Sequence, residues 1–441
     1  MSLSSVEPTS RALPSVAVVG MGYVGLTLAS MLALRGYRVH GVEKNPRVVQ
    51  GLSQNLLHLL EPGVEAAIAA HIGINWTVGQ DYTFAPDVAI ICVSTPVEQN
   101  KEPNLKNIQH AAEAISEVVC DGALVIVRST VPVGTTRRIV WPILQSKRVH
   151  LAFCPERTIQ GQALRELAEL PQVIGGLNED SRRAAEAFFG VFAKRLMPVS
   201  SLESAEMVKL VNNCHTDVIY SFGNEVALMA REFGLDPLEI IDAANIDYPR
   251  PDLAKPGFVG GACLTKDPYI LSASFDPSRC RPGLILGARA LNERMPVEVA
   301  KHLAELLTQT GRPLKEARIL VCGFAYKGVP ETDDLRGAPV FPFIEALRST
   351  GALIMGHDYI VREEAISNCG VTPTGLEAGF RDADAVVFLN NHRRYAALEL
   401  GPLISTARTP VIIYDCWRIF RGKPSISSPR VRYASIGFEI K

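Results

Sequence analysis

The sequence lacks the features that mark membrane proteins and nucleic-acid-binding proteins. No apolar run approaches the roughly 20 residues that a membrane-spanning helix needs. The formal net charge of the 441 residues is −1, so no excess of one sign favours nucleic acid or an anionic membrane as a partner. The first fifteen residues are polar and contain proline, without the apolar core of a signal peptide, and residues 1 to 13 resemble a disordered tail. We therefore expect a cytoplasmic globular protein of two or three domains.

The nine cysteines show no spacing typical of a disulfide framework or a zinc site. Their number is odd, and no C-x-x-C pair occurs. Cys92, Cys322 and Cys416 lie within apolar runs of strand length, which is typical of reduced, buried thiols. The nine histidines lack metal-ligand spacing as well. The sequence therefore predicts reduced thiols and no metal site.

The most specific motif is a glycine-rich turn near the start of the chain. The apolar run Val16–Val19 precedes it, and a helix-like stretch and a second strand-like run follow it and end on Glu43. The turn consists of Gly20, Met21, Gly22, Tyr23, Val24 and Gly25. A strand, G-x-G-x-x-G, a helix, a strand and an acid form the dinucleotide-binding fingerprint, in which the glycines admit a pyrophosphate to the helix N-terminus. Glu43 would bind the ribose and favours NAD, although Lys44 and Arg47 leave NADP open.

Strand-like runs alternate with helical stretches up to about residue 200, which predicts a doubly wound parallel sheet. Polar residues follow three of these runs, at the edge where such sheets bind ligands. They are Ser94 and Thr95, then Thr130 within RSTVPVGTT, then Glu156 and Arg157 within CPER. Each of the first two segments also suits a helix cap followed by proline, and Glu156 suits either catalysis or a surface charge.

Apolar residues repeat at helical spacing from Ser201 to Gly234, which predicts one helix of about 30 residues, or about 45 Å. Such a helix is usually a connector or the core of an oligomer, and its apolar face predicts a homodimer or larger assembly. Lys209 and Asn213 lie four residues apart on it and so share a face. They suit a catalytic pair, or surface side chains that flank the apolar stripe.

A glycine-rich segment, Pro256–Asp267, brings Cys263 to the start of a short apolar run, Tyr269–Leu271, that suits a helix. Its glycines, among them Gly260, permit close approach of the backbone to a ligand. A helix N-terminus and the neighbouring Lys266 would favour the reactive thiolate. The alternatives are a buried, inert cysteine and, for Asp267 before proline, a helix N-cap.

A second α/β domain is predicted from about residue 313. Ala317–Phe324 suits a strand, and the turn after it carries Lys327 and then Arg336. This turn lacks G-x-G-x-x-G, but the two cations suit phosphate ligands as well as ordinary solvated charges. The predicted fold is α/β, with two Rossmann-like doubly wound domains joined by a central helical domain with one long helix. The predicted domains are 14–200 for the dinucleotide, 201–312 for the helical and dimerisation domain, and 313–441 for the second Rossmann-like domain.

Six motifs in order resemble those of the UDP-glucose/GDP-mannose dehydrogenase family. They are GMGYVG, RSTVPVGTT, CPER, KLVNN, FVGGACLTKD and GFAYKGVPETDDLRGAP, and the resemblance extends roughly from Pro14 to Trp417. It implies an NAD domain, a central domain with a long helix, and a C-terminal domain that binds the nucleotide sugar. It also implies a four-electron oxidation of a sugar C6 alcohol to a carboxylate, with reduction of two NAD⁺.

The resemblance further implies a role for each matching residue. Cys263 would be the nucleophile, and Lys209 and Asn213 would stabilise the oxyanion. Asp267 would help to activate the hydrolytic water, which Thr130 and Glu156 would position. The implied substrate contacts are Glu156, Arg157, Lys209, Asn213, Gly260, Lys327 and Arg336.

The identity of the sugar rests on one segment, Pro155–Gly161, which resembles the branch that acts on 2-acetamido sugars. This segment favours UDP-N-acetylmannosamine as the substrate, then UDP-N-acetylglucosamine, with UDP-glucose as a further alternative. The uronic acid product would enter a cell-surface polysaccharide or a glycosylated metabolite. Glu43 departs from the aspartate common in the family.

Two other classes of protein stay open: a two-electron hydroxyacid dehydrogenase, which needs neither Cys263 nor the third domain, and a non-catalytic nucleotide-sugar-binding protein.

Overall fold

The computed structural model describes residues 13–249 and 252–440. Contacts within the chain divide it into two compact units, one ending at Lys209 and the other beginning at Leu210. The predicted tail lies outside the described residues except for Leu13. The division into three domains stays a prediction.

The described residues of the first unit form an α/β unit with eight strands. Its strands are β1 (Ser15–Val19), β2 (Arg38–Val42), β3 (Trp76–Gly79), β4 (Val88–Ile91), β5 (Leu124–Val127), β6 (His150–Phe153), β7 (Gln172–Gly176) and β8 (Leu196–Val199). Its helices are α1 (Tyr23–Leu34), α2 (Pro46–Ser53), α3 (Val64–His71), α4 (Lys106–Val118), α5 (Trp141–Leu144), α6 (Ala163–Glu169) and α7 (Glu179–Phe189), with a π-helical turn at Thr136–Val140.

The sheet of the first unit has the order β3-β2-β1-β4-β5-β6-β7-β8. The first six strands are parallel and have the strand order of dinucleotide-binding folds, and β7 pairs antiparallel with β6. Every residue of β1, β4 and β5 is buried. Such uniformly apolar strands form the centre of a parallel sheet because helices cover both faces. The switch in strand order therefore falls between β1 and β4, where ligands of this fold bind.

The boundary between the units falls within α8 (Leu202–Glu232), a continuous helix of 31 residues, which confirms the predicted long helix. The helices that follow are α9 (Pro237–Asn245), α10 (Asp267–Ser272), α11 (Gly283–Gln309), α12 (Val340–Arg348), α13 (Glu363–Asn368), α14 (Leu376–Phe380), α15 (Arg393–Ala396) and α16 (Leu400–Thr406). The strands of the second unit are β9 (Arg318–Cys322), β10 (Leu353–His357), β11 (Thr372–Pro373), β12 (Ala385–Phe388), β13 (Val411–Asp415), β14 (Val431–Ser435) and β15 (Phe438–Glu439). A 3-10 turn lies at Pro424–Ser427.

The sheet of the second unit, β11-β10-β9-β12-β13-β14-β15, repeats the Rossmann order, with only β15 antiparallel among its described strands. Gly20 ends β1 with φ +93°, and Gly323 ends β9 with φ +94°. Glu43 accepts the N–H of the residue after Gly20 at 2.9 Å, and Asp358 accepts the N–H of the residue after Gly323 at 2.6 Å. The predicted fold class is therefore confirmed, and both units have a glycine turn of the same kind whose next N–H is bound by an acidic side chain.

None of the helices in the described residues is long and apolar enough to cross a membrane. Within the same residues, no group of three or more histidine, cysteine or acidic side chains is arranged to hold a metal ion.

Candidate functional site

The glycine turn leaves the N-terminus of α1 open. Gly22 is the N-cap of α1, and no acidic residue lies in the first turn of this described helix. A Cβ on Gly22 would meet no atom of the described residues within 4 Å, so a ligand can approach the free N–H groups there. A Cβ on Gly25 would lie 1.8 Å from the carbonyl oxygen of Gly20, so only glycine permits this close approach. The turn therefore fits the pyrophosphate of a dinucleotide.

Glu43 lies at the end of β2, directly against this turn. Its carboxylate accepts the backbone N–H groups of Met21 and Asn45, each at 2.9 Å. The ammonium of Lys44 donates to the side chain of Asn107 at 3.0 Å, and Arg47 is exposed. A negative charge beside the turn suits ribose hydroxyls and disfavours a 2′-phosphate.

Thr95 and Thr130 meet where β4 and β5 end. The hydroxyl of buried Thr95 donates to the carbonyl of Thr130 at 2.6 Å. Ser94 is exposed, and the Asn107 amide donates to its carbonyl at 3.1 Å. The helix-cap alternative is wrong for Ser94 and Thr95, because the next helix begins at Lys106. The RSTVPVGTT segment does lead into a helical turn that begins at Thr136 with Thr135 as its N-cap, and Thr130 lies outside that cap.

No sequence pattern marks Glu61, yet its buried carboxylate joins the cofactor turn to the segment that follows Glu156. The carboxylate accepts the Tyr23 hydroxyl at 2.9 Å and the backbone N–H groups of Gly161 and Ala163 at 2.6 and 2.7 Å. The neighbouring Val24 packs against the apolar core of the first unit. The Tyr23 hydroxyl thus connects the cofactor turn to Glu61, and Glu61 in turn fixes the position of the segment that contains Gly161 and Ala163.

Glu156 is a buried ion-pair partner, not a surface charge. Its Oε2 lies 2.6 Å from Nη2 of buried Arg128, and its Oε1 accepts the N–H groups of Arg157 and Thr158 at 2.7 and 2.8 Å. Burial raises the pKa of the Glu156 carboxyl, but Arg128, the Thr158 amide and Lys209 together lower this pKa by more than burial raises it. The pKa of Glu156 is therefore below its ordinary value. The Glu156 carboxylate is therefore charged and a hydrogen-bond acceptor at neutral pH.

The first turns of α8 are fixed to the RSTVPVGTT segment. The buried carboxylate of Glu206 accepts the N–H groups of Gly134 and Thr136 at 2.5 and 2.9 Å. Lys209 lies one turn further on and is 9% exposed, so the interpretation of Lys209 as a surface side chain is wrong. Arg157 is half-buried and its guanidinium donates to the carbonyl of Pro171.

In the second unit, Cys263 lies one turn before α10 and is exposed. Its carbonyl accepts the N–H groups of Lys266 and Asp267 at 3.1 and 2.9 Å. Asp267 is completely buried and is the first residue of α10, with Lys266 as the N-cap. The Asp267 carboxylate accepts the Asn213 amide at 2.5 Å and the Lys266 ammonium at 3.0 Å. Both alternatives, a buried inert cysteine and an Asp267 N-cap, are therefore wrong.

The glycines of this segment allow two loops to pack backbone against backbone. A Cβ on Gly260 would lie 2.7 Å from the carbonyl oxygen of Gly337. Gly261 has φ +93°, and a Cβ there would lie 2.8 Å from the ring of Tyr326. The cysteine segment thus packs on the loop that carries both predicted cations of the second unit.

Arg336 and Lys327 lie on this loop. The guanidinium of Arg336 binds both carboxylate oxygens of Asp334, at 2.9 and 2.6 Å. The hydrogen bonds to Asp334 raise the pKa of Arg336, and the negative charges of Asp334 and Cys263 raise it further. Lys327 is half-buried, with its ammonium 5.4 Å from the ring centroid of Tyr326. Both cations therefore lie on the loop against which the cysteine segment packs.

The glycine turn, its acid and the strand order define the first unit as the nucleotide-binding part of an oxidoreductase. Comparison with known families gives three consecutive matches. They are the NAD binding domain of the UDP-glucose/GDP-mannose dehydrogenase family over 14–193, its central domain over 203–294 and its UDP binding domain over 320–422. The chain belongs to this family and is an NAD-dependent nucleotide-sugar dehydrogenase, which confirms the resemblance, the predicted cofactor and the enzymatic class.

Curated relatives match the chain over most of its length. A UDP-N-acetyl-D-mannosamine dehydrogenase of Pyrococcus horikoshii is 33% identical over 408 residues, which are 90% of this chain and 94% of that protein. An NDP-N-acetyl-D-galactosaminuronic acid dehydrogenase of Ralstonia nicotianae is 32% identical over 409 residues, 89% of this chain and 94% of that protein.

Solved structures show the same architecture. The structure of UDP-D-ManNAc dehydrogenase from Pyrococcus horikoshii has a TM-score of 0.87 at 33% identity and covers 96% of this chain and 99% of that one. A UDP-glucose dehydrogenase from Pyrobaculum islandicum has a TM-score of 0.85 at 25% identity and covers 98% of this chain and 100% of that one.

Proposed function

We propose that the protein oxidises the C6 hydroxyl of UDP-N-acetyl-D-mannosamine to the carboxylate of UDP-N-acetyl-D-mannosaminuronate, and removes four electrons through a covalent intermediate on Cys263. The observation that carries the proposal is the exposed thiol of Cys263 one helical turn before the buried carboxylate of Asp267, which Asn213 binds. A two-electron dehydrogenase needs no such thiol.

The chemistry explains why a thiol is needed for the second oxidation. The C6 alcohol first loses a proton and a hydride and becomes an aldehyde; NAD⁺, when bound, is the acceptor for each hydride. The thiolate of Cys263 then adds to C6, and the resulting thiohemiacetal loses a proton and the second hydride to become a thioester. Water attacks the thioester carbon, the C–S bond breaks, and the thiol is regenerated with release of the acid.

The charged and polar side chains take the roles that the family resemblance implies. Lys209 and Asn213 would donate to the oxyanion of the tetrahedral states. Asn213 has two amide N–H groups, and one is bound to Asp267, so the second remains for the substrate oxygen. Asp267 would accept a proton from the hydrolytic water.

Thr130 and Glu156 would position this water. Because Glu156 is held as a charged acceptor by Arg128 and two backbone amides, we propose that it orients the water and does not donate a proton. In the second unit, Lys327 and Arg336 would bind the diphosphate of the nucleotide sugar, with Gly260 nearby. Arg157 would contact the sugar.

The choice of sugar is supported by the Pro155–Gly161 segment and by the names of the relatives. Both curated relatives described above are named for N-acetyl sugars. We further propose that the enzyme is a cytoplasmic homodimer and that its uronic acid product enters a cell-surface polysaccharide or a glycosylated metabolite. The dimer is supported by an exposed apolar stripe along α8.

Incubation with NAD⁺ and a panel of UDP-sugars, followed by NADH absorbance, tests the proposed substrate. We expect the highest kcat/KM with UDP-N-acetylmannosamine, followed by UDP-N-acetylglucosamine. A kcat/KM for UDP-glucose above those of both acetamido sugars would contradict the assignment.

A further inference from the structure

We infer that Arg289 and Asp217 form a buried clamp that holds the backbone on both sides of Cys263, and that this clamp serves the second oxidation far more than the first. The inference rests on the proposed role of Cys263 as nucleophile. It assigns Arg289 and Asp217 as positioning residues for the cysteine.

The guanidinium of Arg289 spans the cysteine segment. Arg289 lies on α11 and is 1% exposed. Its Nη1 donates to the carbonyl of Leu264, the residue after Cys263, at 2.9 Å, and its Nη2 donates to the carbonyl of Val259 at 3.3 Å. One rigid, planar group therefore fixes the distance between the backbone at Val259 and the backbone at Leu264, which lie on either side of Cys263.

Asp217 holds this guanidinium from α8. Its Oδ1 accepts Nη1 of Arg289 and Nδ2 of Asn292, both at 2.9 Å. Asn292 also accepts the amide of Asn224 at 3.0 Å, and the side-chain oxygen of Asn224 accepts the N–H of Gly257 at 2.9 Å. A continuous network of buried hydrogen bonds thus joins α8, α11 and both sides of the cysteine segment.

The same helix holds the segment at a second point. Asn213 and Asp217 follow one another at a four-residue interval on α8, so they share one face of the helix. Asn213 binds Asp267 after the cysteine, and Asp217 acts through Arg289 on Val259 and Leu264. The position of the thiol relative to the oxyanion donor Asn213 is therefore set by one direct contact from α8 and by a second that passes through Arg289 of α11.

The clamp is poorly explained as a device for stability alone. Asp217 is completely buried, and its Oδ2 has no hydrogen-bond partner among the described residues. Burial raises the pKa of the Asp217 carboxyl even though Arg289 lowers it. Apolar residues of similar volume often stabilise a fold as well as a buried ion pair does, but they cannot bind two loop carbonyls.

The clamp should matter chiefly after the aldehyde has formed. Loss of the first hydride needs no bond to the thiol, whereas the second requires Cys263 to attack C6 along a defined direction. A displacement of about 1 Å in a reacting group can slow a reaction about 100-fold. Loss of the clamp should therefore slow the second hydride transfer much more than the first.

The test uses variants of the full-length protein and resolves the two steps. The double variant Asp217→Asn/Arg289→Gln removes both charges together, so that no unpaired charge stays buried, and Arg289→Lys is the conservative variant. Arg294→Gln is the matched control, because Arg294 lies on the same helix with its side chain 57% exposed. With enzyme in excess over UDP-N-acetylmannosamine, stopped-flow absorbance records one NADH from each step.

In the double variant, we expect the second phase to slow about tenfold or more while the first changes by less than about threefold. Alkylation of Cys263 by iodoacetamide without NAD⁺ should change in rate by more than about threefold. The second phase of Arg289→Lys should be faster than that of the double variant and slower than that of the wild type. Arg294→Gln should behave as the wild type does.

Equal slowing of both phases in the double variant would contradict the proposed role of the clamp. The proposed role would also be contradicted if a double variant that folds and binds NAD⁺ normally kept the second phase and the alkylation rate of the wild type. A Cys263→Ser enzyme that retains both phases would instead overturn the proposed function. The two failures are thereby distinguishable.

Discussion

The side-chain amide of Asn213 lies 2.5 Å from Oδ2 of Asp267, and this hydrogen bond joins α8 to the first residue of α10. Oδ1 of Asp267 lies 3.0 Å from the ammonium of Lys266. The bond therefore links the residue proposed to stabilise the oxyanion to the residue proposed to activate water, and Cys263 lies one turn before the latter.

Replacement of Asp267 should trap the covalent intermediate. In Asp267→Asn, the amide cannot accept a proton from water, so hydrolysis of the thioester should slow about 100-fold or more while Cys263 still attacks. Intact-mass measurement after mixing with UDP-sugar and NAD⁺ should detect enzyme carrying the acyl group. The exposed Asp276→Asn is the control and should show no adduct. Rapid acid release by Asp267→Asn would contradict the assignment.

The carboxylate of Glu43 should exclude NADP⁺. Because it lies 2.9 Å from the Met21 amide of the cofactor turn, a 2′-phosphate would meet a like charge. We expect kcat/KM for NAD⁺ to exceed that for NADP⁺ about 100-fold or more, and Glu43→Gln to reduce this ratio. Glu65→Gln, an exposed acid of the same unit, should leave it unchanged. Equal use of NADP⁺ by the wild type would instead implicate Lys44 or Arg47.

Elements that depend on local pattern are predictable from this sequence. The strand-like run Val16–Val19 and the long helix from Ser201 to Gly234 coincide with β1 and α8 to within two residues, because burial on both faces and helical periodicity leave direct traces in the sequence. The glycine turn is equally visible, since the close approach at Gly25 requires glycine and the absence of a side chain at Gly22 leaves the N-cap open to a ligand.

Buried polar residues with distant partners leave no such trace. Glu61 binds an amide 100 residues away, and Arg289 binds a carboxylate 72 residues away. Asp358 repeats the role of Glu43 without a G-x-G-x-x-G motif to mark it. Asp267 was open to interpretation as an N-cap because Asp-Pro suits a helix start, yet the tertiary partner Asn213 binds its side chain instead.

An exposed apolar stripe on α8 should form the dimer interface. Val211, Ile219, Phe222 and Met229 follow the spacing of one helix face and are 46, 39, 48 and 52% exposed. Light scattering should give a mass of at least twice 47.9 kDa for the wild type and a lower mass for Phe222→Glu/Met229→Glu. Ile74→Glu, at a residue 81% exposed in the first unit, should keep the wild-type mass. A wild-type mass near 47.9 kDa at micromolar concentration would contradict the prediction.

His302 should make the protein less stable in acid. Burial, together with Arg231 and Arg432, lowers the pKa of His302 to about 4. An unfolded histidine has a pKa of about 6.5, so the unfolded chain binds more protons between these values and stability is lost as pH falls through them. The expected loss is about 2 kcal/mol in the free energy of unfolding between pH 7 and pH 5.

Urea unfolding of wild type and His302→Gln at both pH values checks this loss. The variant should lose about 2 kcal/mol less than the wild type, because it no longer binds this proton on unfolding. The exposed His110→Gln should behave as the wild type does. Equal acid sensitivity of wild type and His302→Gln would show that His302 is not the cause.

The count of NADH formed per sugar consumed tests the four-electron reaction through Cys263 most directly. UDP-N-acetylmannosamine should yield two NADH and one uronic acid with the wild type and with Cys280→Ser, whose thiol is also exposed in the second unit. Cys263→Ser should fold and bind NAD⁺ but form no uronic acid, since serine is a much weaker nucleophile than a thiolate. A wild-type ratio of one NADH per sugar, or acid formation by Cys263→Ser at a rate close to that of the wild type, would contradict the proposed mechanism.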